Sequence, residues 1–345
     1  MTRSHRLESW SPRGSIVRTI DAHAGGEPLR VIIDGFPTLD GDTMLARRRD
    51  ARARFDALRT ALMWEPRGHA DMYGCILTPP VTEGADFGVL FLHNEGYSTM
   101  CGHGIIAVVT VALETGWLEA TEPVTRVSID TPAGLVVASA HVTGGRVHDV
   151  EFRNVPAFVT EMDGEVDVPA IGRVRFDLAF GGAFYAFVDA DRIGVDCTPA
   201  NYRRIIEVGI AIKKAVASSR TIVHPADPDL GFLYGTIFVA PSQSAGVHSR
   251  NVCVFAEGEV DRSPTGTGVS ARVAIHHARG ELEPGPAITI ESIIGSRFTA
   301  RIAELSSVGD FAAVIPEVGG QAFITGRHEF ILDPDDPLSA GFFLR

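Results

Sequence analysis

Short apolar runs set apart by polar, glycine-rich connections organise this chain. Residues 29–33, 173–178, 183–188, 236–239 and 298–302 have the length and apolar character of strands, while 46–62 and 202–217 carry helical spacing. Residues 105–113 are less direct. They are rich in β-branched side chains and in isolation would pass for a strand. Three features predict a helix there instead: glycines at the start, uninterrupted length to a terminal Gly116, and a more helix-like counterpart at 269–279. Apolar on nearly every side, this helix is expected to be central and buried.

That counterpart belongs to an internal duplication, which takes precedence over any single motif. The segment opening Cys101-Gly102-His103-Gly104 aligns with the one opening Thr265-Gly266-Thr267-Gly268, and Ala107/Ala271, Val109/Val273 and Gly116/Gly280 stay in step. Downstream, 127–134 meets 288–295. Upstream, Val89-Leu90-Phe91 meets Val252-Cys253-Val254-Phe255, each preceding a polar connection. Each half therefore reads as strand, polar loop, glycine-tipped helix, strand. The class expected is α+β, with two pseudo-equivalent α/β domains and Cys101 facing Thr265 across the cleft between them.

Composition narrows the function classes. A chain of 345 residues suggests two domains, and 45% hydrophobic with 21% charged residues is ordinary for a globular protein without a membrane span. A formal net charge of −12 argues against a nucleic-acid surface. The densest basic run, Arg47-Arg48-Arg49, reads as a solvated helix face. Residues 1–14 carry Arg and His but no apolar core of a secretory signal, so a loose tail on a cytoplasmic protein is expected. The four cysteines, Cys75, Cys101, Cys197 and Cys253, are irregularly spaced and expected to be free buried thiols.

Candidate chemistry gathers at the two glycine-tipped helix starts. Backbone N–H groups there can approach a carboxylate closely, and the helix dipole favours its charge. Cys101 leads the first start, where the dipole is expected to lower its pKa towards a reactive thiolate. Cys75, Cys197 and Cys253 are expected to be packing residues. His103 has four readings: a dyad partner for Cys101, a metal ligand with His93, a substrate hydrogen-bonding group, or an ordinary satisfied loop histidine. Cys-x-His fits no common zinc spacing, and no metal is expected. Asp261 is either a turn or cap residue or the partner of a substrate ammonium. Gly102-x-Gly104-x-x-Ala107 and Gly266-x-Gly268-x-x-Ala271 also fit a dinucleotide fingerprint, with Asp130 and Glu291 downstream. That reading, a nucleotide-binding oxidoreductase, wants a strand running directly into the first glycine, whereas polar stretches intervene here. An inactive ligand-binding relative is the third class.

Taken together, Gly25-Gly26-Glu27-Pro28-Leu29-Arg30, Glu65-Pro66-Arg67-Gly68-His69, Asp71-Met72-Tyr73-Gly74, Met100-Cys101-Gly102-His103 and Asp261-Arg262-Ser263-Pro264-Thr265-Gly266 resemble signatures of the proline racemase family, which includes hydroxyproline epimerases and trans-3-hydroxy-L-proline dehydratases. The resemblance implies two domains of the diaminopimelate epimerase type, 15–156 joined by 321–345, and 157–320, with the site in the cleft. It implies a homodimer, a hydroxyproline substrate and no cofactor. In the racemases two cysteines flank the α-carbon, at positions matching Cys101 and Thr265. Threonine at the second position resembles the dehydratase branch, because a hydroxyl is too weak an acid and base to exchange protons as a thiol does. The expected reaction is dehydration of trans-3-hydroxy-L-proline to Δ1-pyrroline-2-carboxylate, with proline racemase or 4-hydroxyproline 2-epimerase as alternatives. Gly102, His103, Gly266 and Thr267 are expected to hold the carboxylate, Asp261 and His103 the ring nitrogen, and Phe255 and Tyr73 the ring.

Overall fold

A computed structural model describes residues 11–344; of the expected tail, residues 1–10 lie outside the described residues. The duplication is visible strand by strand. In the first half, Glu27–Asp34 runs parallel to Tyr73–Thr78, which pairs antiparallel with Phe87–His93. Phe87–His93 runs parallel to Val124–Thr131, which is followed antiparallel by Gly134–Thr143 and Arg146–Arg153. The second half repeats the series. Phe184–Asp189 is parallel to Leu233–Ala240, which pairs antiparallel with Ser249–Phe255. Ser249–Phe255 is parallel to Ala287–Glu291, followed antiparallel by Arg297–Val308 and Phe311–Gly320.

The two series join across their common axis, where Val150–Arg153 pairs antiparallel with Glu317–Gly320. Each series also receives a strand from beyond its own end. Ala157–Val168 pairs with Gly172–Phe180 in the second half, and Ala322–Leu332 returns to pair with Ser15–Ala24 in the first. The sheet curls around one helix in each half. Gly102–Glu114 packs on Ser15–Ala24, Arg146–Arg153 and Ala322–Leu332, and Gly266–Ala278 on Ala157–Val168, Gly172–Phe180 and Phe311–Gly320. Gly102 to Leu113 is buried residue by residue, so apolar side chains all round that helix are what its position demands.

The expected helix over 46–62 is two helices, Met44–Arg54 and Asp56–Met63, broken at Phe55 with φ −128° and ψ 17°. Phe55 leaves the helical path to meet the Phe36 ring edge-on at 5.9 Å, and Asp56 opens a fresh first turn, where a carboxylate suits the dipole. The basic run is a solvated face only at Arg49, while Arg47 and Arg48 are half-buried. Arg48 donates to the Tyr97 carbonyl at 2.8 Å, Arg47 donates to the Gly41 carbonyl at 3.1 Å, and Arg49 pairs with Asp229. The helix expected at 202–217 forms, spanning Tyr202–Ser219.

The two central helices meet at their first residues. A Cβ built on Gly102 would lie 2.5 Å from Gly266 Cα, and one on Gly266 would lie 2.6 Å from Gly102 Cα. Such contacts with backbone cannot be relieved by a rotamer change. Gly266→Ala is therefore expected to destabilise the protein by ~1–3 kcal/mol as an overpacking change, whereas Gly96→Ala, with open space at its Cβ, should cost little. Denaturant midpoints check this; equal midpoints for the two variants would show that the helix starts can move apart freely.

Candidate active site

Where the helices meet, Tyr73, Met100, Cys101, Gly102, His103, Tyr185, Tyr234, Cys253, Phe255, Asp261, Thr265, Gly266 and Thr267 enclose a cavity of about 20 Å³. That is room for roughly one water. Every site residue expected from the sequence is in this wall. Larger hollows of about 540 and 760 Å³ elsewhere hold none of them.

Cys101 is the N-cap of its helix, in extended backbone at φ −148°, and its Sγ accepts the Gly104 N–H at 3.3 Å. Thr265 occupies the equivalent position differently. Its φ of +66° is left-handed, an outlier for a β-branched residue that costs on the order of 1–3 kcal/mol. The Ser263 hydroxyl accepting the Thr265 N–H at 3.1 Å, and Asn251 donating to the Pro264 carbonyl at 3.1 Å, hold it there. Thr265 Oγ1 is buried without a hydrogen-bond partner. Thr267 is fixed by a 2.7 Å bond with the Tyr185 hydroxyl.

Burial dominates the electrostatics. It pushes the Cys101 thiol well above its ordinary pKa; Asp261 and Glu27 push the same way, while the Gly104 N–H and the Tyr73 hydroxyl pull back. The expectation that the dipole lowers this thiol is thus reversed in the closed site, because desolvating a thiolate costs more than one helix end returns. Burial also lowers His103 to about 3, so the imidazole facing Cys101 Sγ, with Nδ1 at 3.1 Å, is neutral. Asp261 is raised to about 6 by burial, held back by the Ser263 hydroxyl and by the Ser263 N–H that it accepts at 2.7 Å. It is at once a turn residue and a wall residue.

Several wall residues were not foreseen. Cys253, expected to be a packing residue, contributes to the cavity. Tyr234 stacks on Phe255 at 5.3 Å, and its hydroxyl lies 2.7 Å from the Ser98 hydroxyl, which also bonds Tyr73. A signal for Tyr234 was available: Tyr234-Gly235-x-Ile237 repeats Tyr73-Gly74-x-Ile76. Behind the wall, Glu27 accepts the Arg262 N–H at 2.7 Å, and His93 Nδ1 lies 3.1 Å from Glu259. Among the described residues, His141, Asp149 and Glu151 could together hold a metal, and none lines the cavity.

Residues 19–343 match the family profile described as proline racemase. The chain belongs to the proline racemase family. A trans-3-hydroxy-L-proline dehydratase of Colwellia psychrerythraea is 46% identical, over 99% of this chain and 97% of its own. A 3-hydroxyproline 2-epimerase of Burkholderia multivorans is 45% identical, over 95% and 98%. Among solved structures, a hydroxyproline epimerase from Agrobacterium vitis with bound trans-4-hydroxy-L-proline superposes with a TM-score of 0.92 at 36% identity, covering 97% of both chains. The fold is thus the α+β proline racemase type. The dinucleotide reading fails on this fold: Phe87–His93 ends well before Gly102, and Phe255 well before Gly266, so no strand runs into either glycine. No helix among the described residues is long and apolar enough to cross a membrane.

A raised carboxyl pKa has a definite sign in stability. Between the ordinary value near 4 and about 6 the folded protein binds the Asp261 proton more tightly than the unfolded chain, so ionising Asp261 costs stability as pH rises through that window. Asp261→Asn is expected to be more stable than the parent at pH 7.5, by on the order of 2 kcal/mol, with the difference shrinking towards pH 4.5. Thermal melts at both pH values check this; a pH-independent difference would place the shifted titration elsewhere.

Proposed function

We propose that the protein is a hydro-lyase that converts trans-3-hydroxy-L-proline to Δ1-pyrroline-2-carboxylate without a cofactor. The supporting observation is the inequality at the two helix starts: a thiol at Cys101, and at the equivalent place a hydroxyl that is buried, backbone-strained and unpartnered. The names of relatives at about 46% identity agree with this reading. In our reading 15–156 with 321–345 supplies Cys101 and 157–320 supplies Thr265, and the enzyme acts as a cytoplasmic homodimer without a nucleic-acid or membrane partner.

A cavity sized for one water does not hold a proline ring, so substrate enters when the halves part. Parting breaks bonds between them such as Ser98 to Tyr234 and Arg262 to Glu27. Water or the substrate's ammonium then relieves the desolvation that keeps Cys101 protonated. Closure places the carboxylate between the first N–H groups of the two helices, from Gly102, His103, Gly266 and Thr267, which have no partners within their own helices. Asp261 and His103 hold the ring nitrogen, and Phe255 and Tyr73 cover the ring.

The Cys101 thiolate takes the α-proton, and the carboxylate collects the charge against those N–H groups. In the trans isomer the 3-hydroxyl shares a ring face with the α-hydrogen. The new Cys101 thiol returns its proton to that hydroxyl as the C3–O bond breaks, water leaves, and the C2=C3 enamine tautomerises to the imine. The thiolate is regenerated in each cycle. Epimerisation is the second reading, because a relative carries that name, and it requires proton delivery from the Thr265 face.

Purified protein without added cofactor is expected to form Δ1-pyrroline-2-carboxylate from trans-3-hydroxy-L-proline, and Cys101→Ser to lose at least ~10²-fold of that rate. The cis isomer, whose hydroxyl faces Thr265, should be a poor substrate; equal rates for both isomers would sink the one-face scheme. L-Proline should invert far more slowly than the hydroxyproline dehydrates, and Thr265→Cys should raise inversion, followed by chiral chromatography. Inversion by the parent at the dehydration rate would move the assignment to racemase.

A further inference from the structure

Each half has a second hollow, towards the C-terminal end of its central helix, and the two hollows differ in chemistry. In the first half Val108, Val111, Ala112 and Trp117 line one of about 760 Å³. Their counterparts in the duplication, Arg272, Ile275, His276 and Glu281, line one of about 540 Å³ in the second half. The architecture accepts a buried valine where Arg272 stands, so it does not itself require a buried cation there, which is costly. Arg272 donates to Ser249 Oγ at 2.6 Å, to Asn251 Oδ1 at 3.0 Å and to His276 Nε2 at 2.8 Å. Because arginine only donates, the His276 proton sits on Nδ1, which donates to Glu281 at 2.6 Å. Burial lowers His276 to about 4, so the ring is neutral and leaves the Glu281 charge uncompensated. Most other charges around this hollow satisfy one another: Arg279 pairs with Asp163 and Asp177, Arg175 with Asp163, and Arg192 with Asp189. Three charges remain. Among the described residues, Arg272 has no carboxylate at ion-pair distance, and neither Asp191 nor Glu281 has an arginine or lysine.

A buried cation without an acid, and two exposed acids without a cation, thus line one hollow. We propose that this hollow binds a small α-amino acid, its carboxylate on Arg272 and its ammonium between Asp191 and Glu281, and that occupancy slows turnover in the distant catalytic cavity. The volume is that of a small-molecule site. A carboxylate makes charge-assisted bonds to a guanidinium, which outcompete the neutral oxygens of Ser249 and Asn251. Asn251 is the link to the catalytic cavity. Its side-chain nitrogen donates to the Pro264 carbonyl at 3.1 Å, beside Thr265 with its φ of +66°. Drawing Arg272 towards a guest removes the donor that orients the Asn251 amide, and the loop leading into Gly266–Ala278 loses a bond that holds it. Guest and substrate occupy different places, so the guest acts on kcat and does not compete. Binding at this hollow is independent of the dehydratase reading; the effect on turnover rests on it.

The test titrates the protein with L-alanine, acetate and ethylamine by calorimetry, and measures initial rates of trans-3-hydroxy-L-proline dehydration with L-alanine added. L-Alanine should bind about tenfold or more tightly than either half-molecule, because only it reaches both ends of the site. Saturating L-alanine should lower kcat about twofold or more with KM unchanged. Asp191→Asn, at an exposed position, should weaken both binding and inhibition about threefold or more. Arg272→Lys keeps the charge but not the planar fork and should weaken both further, with a thermal melt to show that it folds. Acetate binding as tightly as L-alanine would overturn the proposal. Competitive inhibition that Asp191→Asn leaves unchanged would place L-alanine in the catalytic cavity and overturn it too, and binding without any change in kcat would overturn the link through Asn251. Absent dehydration in the parent would count against the hydro-lyase reading, while the calorimetric comparison of parent and Asp191→Asn still decides the site.

Discussion

Two helix N-termini meeting backbone to backbone set the terms for everything else in this molecule. Gly102 and Gly266 approach so closely that neither position has space for a single methyl group. From that contact follow the meeting of the two helix N-termini at one small cavity, the placement of Cys101 and Thr265 in its wall, and the need for both helices to be sheathed in curled sheet. A helix that ends its axis against another helix has few free faces. This is why Gly102–Glu114 is apolar all round and why its β-branched content does no harm.

The second governing quantity is water. Closed around about 20 Å³, the site raises a thiol, raises two carboxyls and neutralises an imidazole, each through loss of hydration before any specific partner acts. In the dehydratase reading proposed above, reactivity at Cys101 therefore belongs to the parting and closing of the halves rather than to a resting thiolate. The same burial gives Thr265 its character. A strained β-branched residue with an idle hydroxyl is expensive, and such an arrangement persists only where surrounding bonds, here from Ser263 and Asn251, hold it in place.

Much of this was legible in the sequence because duplication makes a chain its own reference. Comparing its halves revealed the strand–loop–helix order, the facing of Cys101 and Thr265, and the helix at 105–113 that propensity alone would misassign. The misses share a cause. Phe55 breaks a helix because Phe36, distant in sequence, offers a better contact, and half-buried Arg48 is drawn to the Tyr97 carbonyl. Cys253 becomes a wall residue because the 261–265 loop folds over its strand. Cys101's ionisation depends on a cavity volume that no spacing encodes. Local pattern reports periodicity; it does not report what arrives from elsewhere in the chain.

The returning strand Ala322–Leu332 has a consequence for biogenesis. Ser15–Ala24 has a neighbour in Glu27–Asp34 on one side, but on the other its partner is synthesised about three hundred residues later. Until the ribosome has delivered Ala322–Leu332, that strand presents an open edge of unpaired amides and carbonyls, the kind of edge that recruits strands from other chains. Closing it last makes folding a long-range event with a slow, non-local step. A chain released early would be left with an adhesive edge and no means of covering it.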